Sequence, residues 1–206
     1  MVFEKWDAKF DVSALQKHLE EFVLPLEPTT QSVAFSGWSI WSSTGSYKDG
    51  WHKGNLAVTK DGDTSTIIEN LEKMGAKIST AYTIPTEICR GYLSEVMEVI
   101  KSKNLNPRRA RIIRLHSNQS TIWHRDAPED TYAVRLHIPI VTNSKCFFET
   151  RTEKAFLPAD GSAYFLSVST EHRVVNGSDS MRYHIVMDIT DNDKFTKFHH
   201  TIAGNR

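Results

Sequence analysis

"GSAYFLSVSTEHRVVNGSDSMRYHIVMDIT", residues 161–190, holds three short β-rich runs: GSAYFLSV, EHRVVN and MRYHIVMDIT. The turn formers Asn176-Gly177-Ser178-Asp179 separate the second from the third. No helical periodicity intervenes, which fits short strands of an antiparallel barrel or jelly roll. Working back towards the N-terminus, KCFFETR (145–151), TYAVRLHIPIVT (131–142) and RARIIRLH (109–116) repeat the same texture. Short strands at this rhythm predict a sandwich or barrel.

Ahead of Pro107 the pattern differs. DVSALQKHLEEFVL spaces Val12, Leu15, Leu19, Phe22 and Val23 as a helix, and Pro25 stops it. SVAFSGWSIWSS (32–43) reads as a strand with an irregularity at Gly37. DTSTIIENLEKMG (63–75) reads as a capped helix ended by Gly75, and PTEICRGYLSEVMEVIKSKNLNP (85–107) as a longer helix. The expectation is one domain over 1–206: a mixed helix and strand elaboration over 1–107 and a β core over 108–190. It is mainly β, with N-terminal helices and a jelly-roll or barrel core.

Bulk properties narrow the function classes. Lys plus Arg and Asp plus Glu are 25 each, so no global field favours nucleic acid or a membrane surface. The basic cluster NPRRARIIR (106–114) alternates with Ile112 and Ile113 and reads as a strand with solvated charges at its start. Cys89 and Cys146 are far apart, which speaks against a disulfide scaffold and for a reducing compartment. No run approaches the length of a membrane span, and the first residues carry no apolar signal core. A cytoplasmic enzyme or binding protein is expected, without nucleic-acid or membrane partners.

His124-Arg125-Asp126 carries the sharpest chemical signal. The same tripeptide opens the catalytic loop of protein kinases, but a kinase needs an Asn five residues after the Asp. Thr131 stands there, and neither a Gly-rich phosphate loop nor Asp-Phe-Gly occurs. In an extended segment, side chains two apart share a face, so His124 and Asp126 can supply two corners of a metal site. His172, in the late β region, is available as the third. Two histidines and one carboxylate leave open positions, as in non-haem Fe(II) oxygenases. Arg182, beyond the NGSDS turn, lies on the strand antiparallel to that of His172 and can fork onto a dicarboxylate. In AVRLHIPIV (133–141), Val134, Leu136, Ile138 and Ile140 share one face, so Arg135 and His137 share the other. That face is either the wet side of an edge strand or the lining of a barrel interior.

WHRD (123–126), RLHIPIVTN (135–143) and the ending EHRVVNGSDSMRYHIVMDI (171–189) together resemble the Fe(II)/2-oxoglutarate-dependent dioxygenases. Within them, the resemblance is to the aspartyl/asparaginyl β-hydroxylase-like branch. It implies a double-stranded β-helix, the jelly-roll fold also called cupin-like, with Fe(II) held by His124, Asp126 and His172. It further implies that Arg182 binds the C5 carboxylate of 2-oxoglutarate, His137 contacts its C1 side, and Arg135 meets a substrate carboxylate. O2 would be the second co-substrate. The substrate would be a small molecule or peptide bearing a carboxylate: a free amino acid or an aspartyl or asparaginyl residue. Two other classes remain open at this stage, a cupin-like metal-binding barrel without oxygenase activity and a degenerate binding module. Trp123 and Phe147-Phe148 read as core, and 41–55 (WSSTGSYKDGWHKGN) as either a recognition loop or an ordinary surface loop.

Overall fold

The computed structural model describes residues 3–49, 82–126 and 134–190. The helix expected over 63–75 lies outside the described residues, as do residues 50–55 of the 41–55 segment. All strand pairs are antiparallel, and two sheets dominate. The larger has seven strands in the order β1-β11-β8-β13-β6-β3-β2. These are β1 (Phe3–Lys9), β2 (Thr30–Gln31), β3 (Phe35–Ser39), β6 (Asn106–Leu115), β8 (Val134–Val141), β11 (Ser162–Ser167) and β13 (Arg182–Thr190). The smaller has four, in the order β10-β9-β12-β7: β7 (Gln119–Ser120), β9 (Cys146–Thr150), β10 (Lys154–Ala155) and β12 (His172–Asn176). A separate pair joins β4 (Trp41–Ser42) to β5 (Ile84–Pro85). The chain folds as a mainly β jelly roll with helices on one side.

The helices follow from their apolar spacing. In α1 (Val12–His18), Asp11 caps the N-terminus by accepting a hydrogen bond from the Ala14 amide at 3.0 Å, and Leu15 and His18 are buried. One π-helical turn, Leu19–Val23, continues it ahead of Pro25. In α2 (Gly91–Ser102), the buried Leu93, Val96, Met97 and Ile100 recur every three or four residues, and Asn104 ends it at a positive φ of 55°. This helix starts six residues later than the stretch after Pro85 suggested.

Each strand of the large sheet has two differently used faces. Leu136, Ile138 and Ile140 of β8, Ile112 of β6 and Ile185 and Met187 of β13 join the main core, with the apolar stripes of both helices. Burial of each such side chain contributes roughly 1.5–3 kcal/mol. The opposite face looks towards the small sheet. A second cluster, Phe148, Ala155, Leu157, Tyr164, Leu166 and Val168, spans that gap at one side. The N-terminal strand is pinned at Gly161, whose carbonyl accepts from the Phe10 amide at 2.8 Å; a Cβ there would meet the Phe10 carbonyl oxygen at 2.3 Å.

Three sequence expectations need correction, and one open alternative, the place of β8, is settled. The strands of His172 and Arg182, expected as antiparallel strands across one turn, lie in different sheets, β12 in the small and β13 in the large. The irregularity expected at Gly37 falls at Ile40, between β3 and β4, while Gly37 pairs regularly with Ile113. β8 is not an edge strand: it lies between β11 and β13, so the face carrying Arg135 and His137 lines the interior. Arg109 and Arg111 are not solvated. Both are buried, because Asp188 on the neighbouring β13 compensates their charge.

Candidate functional site

The segment 119–126 runs along β12, so a backbone ladder sets where its side chains fall. His124 and His172 exchange both main-chain hydrogen bonds, at 3.0 and 2.9 Å, and the Asp126 amide donates to the Val168 carbonyl at 2.9 Å. Directly opposed residues point the same way, which brings the two imidazoles and the carboxylate together. Their potential ligand atoms all lie within 4.8 Å of one another. Asp126 Oδ2 stands 3.3 Å from His172 Nε2 and 3.9 Å from His124 Nε2.

The tautomers suit metal binding. His124 Nδ1 donates to the Ile122 carbonyl at 2.7 Å, and His172 Nδ1 donates to the Thr170 carbonyl at 2.8 Å. In a neutral ring this leaves the lone pair on Nε2, which faces the carboxylate in both residues. Burial lowers the His124 pKa, keeping it neutral. For Asp126, burial pushes upward, but Arg135 and then His172 outweigh it and hold the carboxyl well below the usual range. Two imidazole nitrogens and an ionised carboxylate on one side form a donor set that fits Fe(II) and leaves its other side open.

Trp123, expected in the core, sits instead on the outer face of the small sheet. Its ring lies between the guanidinium groups of Arg151, at 3.9 Å, and Arg173, at 4.8 Å. Those arginines are held by Glu171 and Glu149. The stack clamps the residue next to His124 against β9 and β12. Phe148 does join the core between the sheets and stacks on the His172 ring at 4.8 Å.

The donor set opens into a cavity of about 570 Å³ lined by both sheets. From the large sheet come Arg111, Arg135, His137 and Arg182. Arg182 is 4% exposed, and its guanidinium has no carboxylate within 4 Å among the described residues. Burial pushes its pKa down to about 10. His137 is buried, and its Nδ1 has no hydrogen-bond partner among the described residues. Burial and the nearby Arg182 hold its pKa well below 6.5, so it is neutral. A buried, uncompensated cation beside an unpartnered imidazole nitrogen is costly unless a ligand arrives.

Arg135 has partners other than the one expected. It donates from Nη1 to Asp126 and, at 2.9 Å, from Nε to Asp188 Oδ1. Burial opposes its charge, but the two carboxylates more than restore it. Asp188 also receives Arg109 Nη2 at 2.7 Å and lies 3.9 Å from Arg111 Nη2. Sequence reading gave Asp188, Arg111 and His184 no role in the site, although the two-residue alternation along β13 and β6 places them on the interior face with Arg182. It read Asn176 only as part of a turn. The amide of that residue donates to the carbonyls of Leu115, His116 and Ser180, tying down the turn that leads to Arg182.

A family model of aspartyl/asparaginyl β-hydroxylase matches residues 38–192, well over half of the chain. The chain belongs to this family. It is thus an enzyme of the 2-oxoglutarate-dependent hydroxylase class. Among solved structures, EvdMO1 is similar over 92% of this chain and 47% of its own, at 12% identity and a TM-score of 0.50. An oxidoreductase of the 2OG-Fe(II) oxygenase family from Burkholderia pseudomallei is 14% identical, covering 91% and 84%, with a TM-score of 0.47. The collagen prolyl hydroxylase of Paramecium bursaria Chlorella virus-1 is 10% identical, covering 93% and 97%, at 0.47. At such identities the likeness concerns the fold alone. No helix among the described residues is long and apolar enough to cross a membrane.

Proposed function

We propose that this protein is an Fe(II)- and 2-oxoglutarate-dependent dioxygenase that hydroxylates an unactivated C–H of an amino-acid-type substrate bearing a carboxylate. His124, Asp126 and His172 hold the metal, and Arg182 and His137 bind the co-substrate. The observation that carries this reading is Arg182: a buried guanidinium without an acidic partner, lining the same cavity as the His-Asp-His set. A metal-binding barrel without oxygenase activity has no use for it.

When bound, Fe(II) with 2-oxoglutarate and O2 supplies the oxidising chemistry that removes hydrogen from the substrate carbon. The protein's residues do the rest. The backbone carbonyls of Ile122 and Thr170 fix the ring orientation of the two histidines. Arg135 holds Asp126 ionised and in place. Arg182 offers a planar fork to the distal carboxylate of the dicarboxylate, and His137 presents a neutral nitrogen further in. Val33 and Ile122, both largely exposed, flank the opening, while Phe35, Ile113 and Val186 line the wall. Such walls exclude water and suit the hydrocarbon part of a substrate.

The substrate carboxylate follows from charge. Three arginines line the cavity, Arg111, Arg135 and Arg182, against one lining carboxylate, Asp126, among the described residues. A divalent iron and a dianionic co-substrate cancel each other, so the surplus positive charge favours an anionic substrate. Succinate release should be measured across a panel of free amino acids and Asp- or Asn-containing peptides, with the product mass determined. A gain of one oxygen atom, dependent on Fe(II) and 2-oxoglutarate, is the expected result. Turnover without either co-reactant overturns the reading, and equal rates on substrates lacking any carboxylate overturn the substrate class.

A further inference from the structure

Among the described residues, Arg182 has one side-chain hydrogen-bond partner, and it is not an acid. Its Nη2 donates to His184 Nδ1 at 2.7 Å, and both residues are buried. They stand two apart on β13, so they share the interior face. A guanidinium only donates, so Nδ1 of His184 must carry the lone pair and Nε2 the proton. That Nε2 has no hydrogen-bond partner among the described residues. The ring stands edge-on to His137, with centroids 5.9 Å apart at 81°. Its cross-strand neighbours are Ile113 and Pro139, neither of which orients it by a side-chain hydrogen bond.

A position surrounded this way would pack well with a plain apolar side chain. An imidazole with one buried nitrogen unpartnered costs stability there, which points to a task for the other nitrogen. A carboxylate would hold the guanidinium more firmly, but it would also cancel its charge. A neutral imidazole fixes direction and leaves the charge intact. Burial, with Arg182 and His137 close by, holds the His184 pKa well below 6.5, which keeps it in the neutral form this arrangement needs.

We propose that His184 is a positioning residue for the co-substrate: it aims the Arg182 fork through Nδ1 while leaving its full positive charge for the distal carboxylate of 2-oxoglutarate. The proposal rests on the reading of Arg182 given above. It also makes His184 a strut between Arg182 and His137, the two groups assigned to the co-substrate.

Three substitutions separate direction from charge. H184N keeps an acceptor at the Nδ1 place, H184L removes it, and H184D keeps it but adds a negative charge. 2-Oxoglutarate is titrated into the Fe(II) enzyme without oxygen, and pyruvate, which lacks the distal carboxylate, serves as control. Affinity for 2-oxoglutarate should fall within about threefold in H184N and about tenfold in H184L, the range of one neutral hydrogen bond. In H184D, where the neutralised fork no longer attracts the dianion, it should fall about a hundredfold. Pyruvate affinity should stay level across all three. Equal losses in H184N and H184D, or losses that extend to pyruvate, overturn the proposal. If instead R182L leaves 2-oxoglutarate affinity unchanged, the reading of Arg182 fails and this proposal falls with it.

Discussion

Replacing Asp188 with Asn tests the charge arrangement behind the cavity. Asp188 Oδ2 receives Arg109 through Nη2 at 2.7 Å and Nε at 2.8 Å, and Oδ1 receives Arg135 Nε at 2.9 Å. Arg111 is 3.9 Å away. Asn keeps a single acceptor oxygen and turns an NH2 group towards guanidinium donors. At least one buried arginine therefore loses its acceptor, and three cations face Asp126 alone. Breaking one buried pair costs about 3–5 kcal/mol. The Asp188 side chain is 14% exposed, so the lower end applies, about 3 kcal/mol. For a chain of this size that is a fall in Tm of roughly 6–12 °C. Thermal and urea unfolding of D188N against wild type measure it. Iron affinity should also fall about tenfold, because Arg135 then has no carboxylate but the metal ligand to bind. The double substitution R109L/D188L should recover part of the stability, since it removes both partners together. A D188N protein melting within about 2 °C of wild type would refute the reasoning.

Further expectations concern the site itself. H124A, D126A and H172A should each abolish 2-oxoglutarate turnover and lower bound iron, read by metal analysis after gel filtration; full activity in any of them removes the assigned donor set. R182A should raise the KM for 2-oxoglutarate by an amount equivalent to about 2–5 kcal/mol, far more than any change in the KM of the prime substrate. R135A should weaken iron binding before it weakens substrate binding, the reverse of what a substrate clamp predicts; retained iron with a raised substrate KM would restore the role expected from sequence. Acid should destabilise the fold below pH 6.5. His18 donates to the Ile88 carbonyl at 3.0 Å, and burial lowers its pKa, as it does for His137 and His184. A depressed histidine leaves stability intact above the ordinary value of 6.5 and loses it as pH falls, because the unfolded chain takes the proton first. The slope is about 1.4 kcal/mol per pH unit for each such group. Stability curves of H18Q should be shallower by about one proton, and an unchanged slope would contradict the assignment.

The strand texture after Pro107 made the barrel legible because period-two alternation is a local property. The same alternation placed Arg135 and His137 on one face. It could not say which face was wet, since that depends on β11 and β13 arriving on either side of β8. His124, Asp126 and His172 were legible as chemistry, and their convergence comes from the main-chain bridge between the two histidines. The partners of Arg135 were not legible. Asp188 lies 53 positions away along the chain, and only the pairing of β13 with β8 sets it opposite. For the same reason RRAR read as surface charge: nothing nearby in sequence reveals the carboxylate that lets Arg109 and Arg111 be buried. β1 escaped notice because FEKWDAK carries four charges in seven residues, with Glu4 and Lys5 adjacent, which breaks the two-residue alternation; it becomes a strand by pairing with β11.

The two sheets divide the assigned ligands between them. His124, Asp126 and His172 hang on the small sheet and the segment bonded along it, while Arg182 and His137 belong to the large one. The Arg135–Asp126 ion pair ties the two halves together from the large sheet. Their separation is set at one side by the packing of Phe148 against the Tyr164 and Leu166 layer. The molecule therefore resembles a pair of jaws whose gape is set by side-chain volume. Lineages could widen or narrow that gape by trading Phe148 or Leu166 for larger or smaller residues, retuning the distance between metal and co-substrate anchor without touching a single ligand.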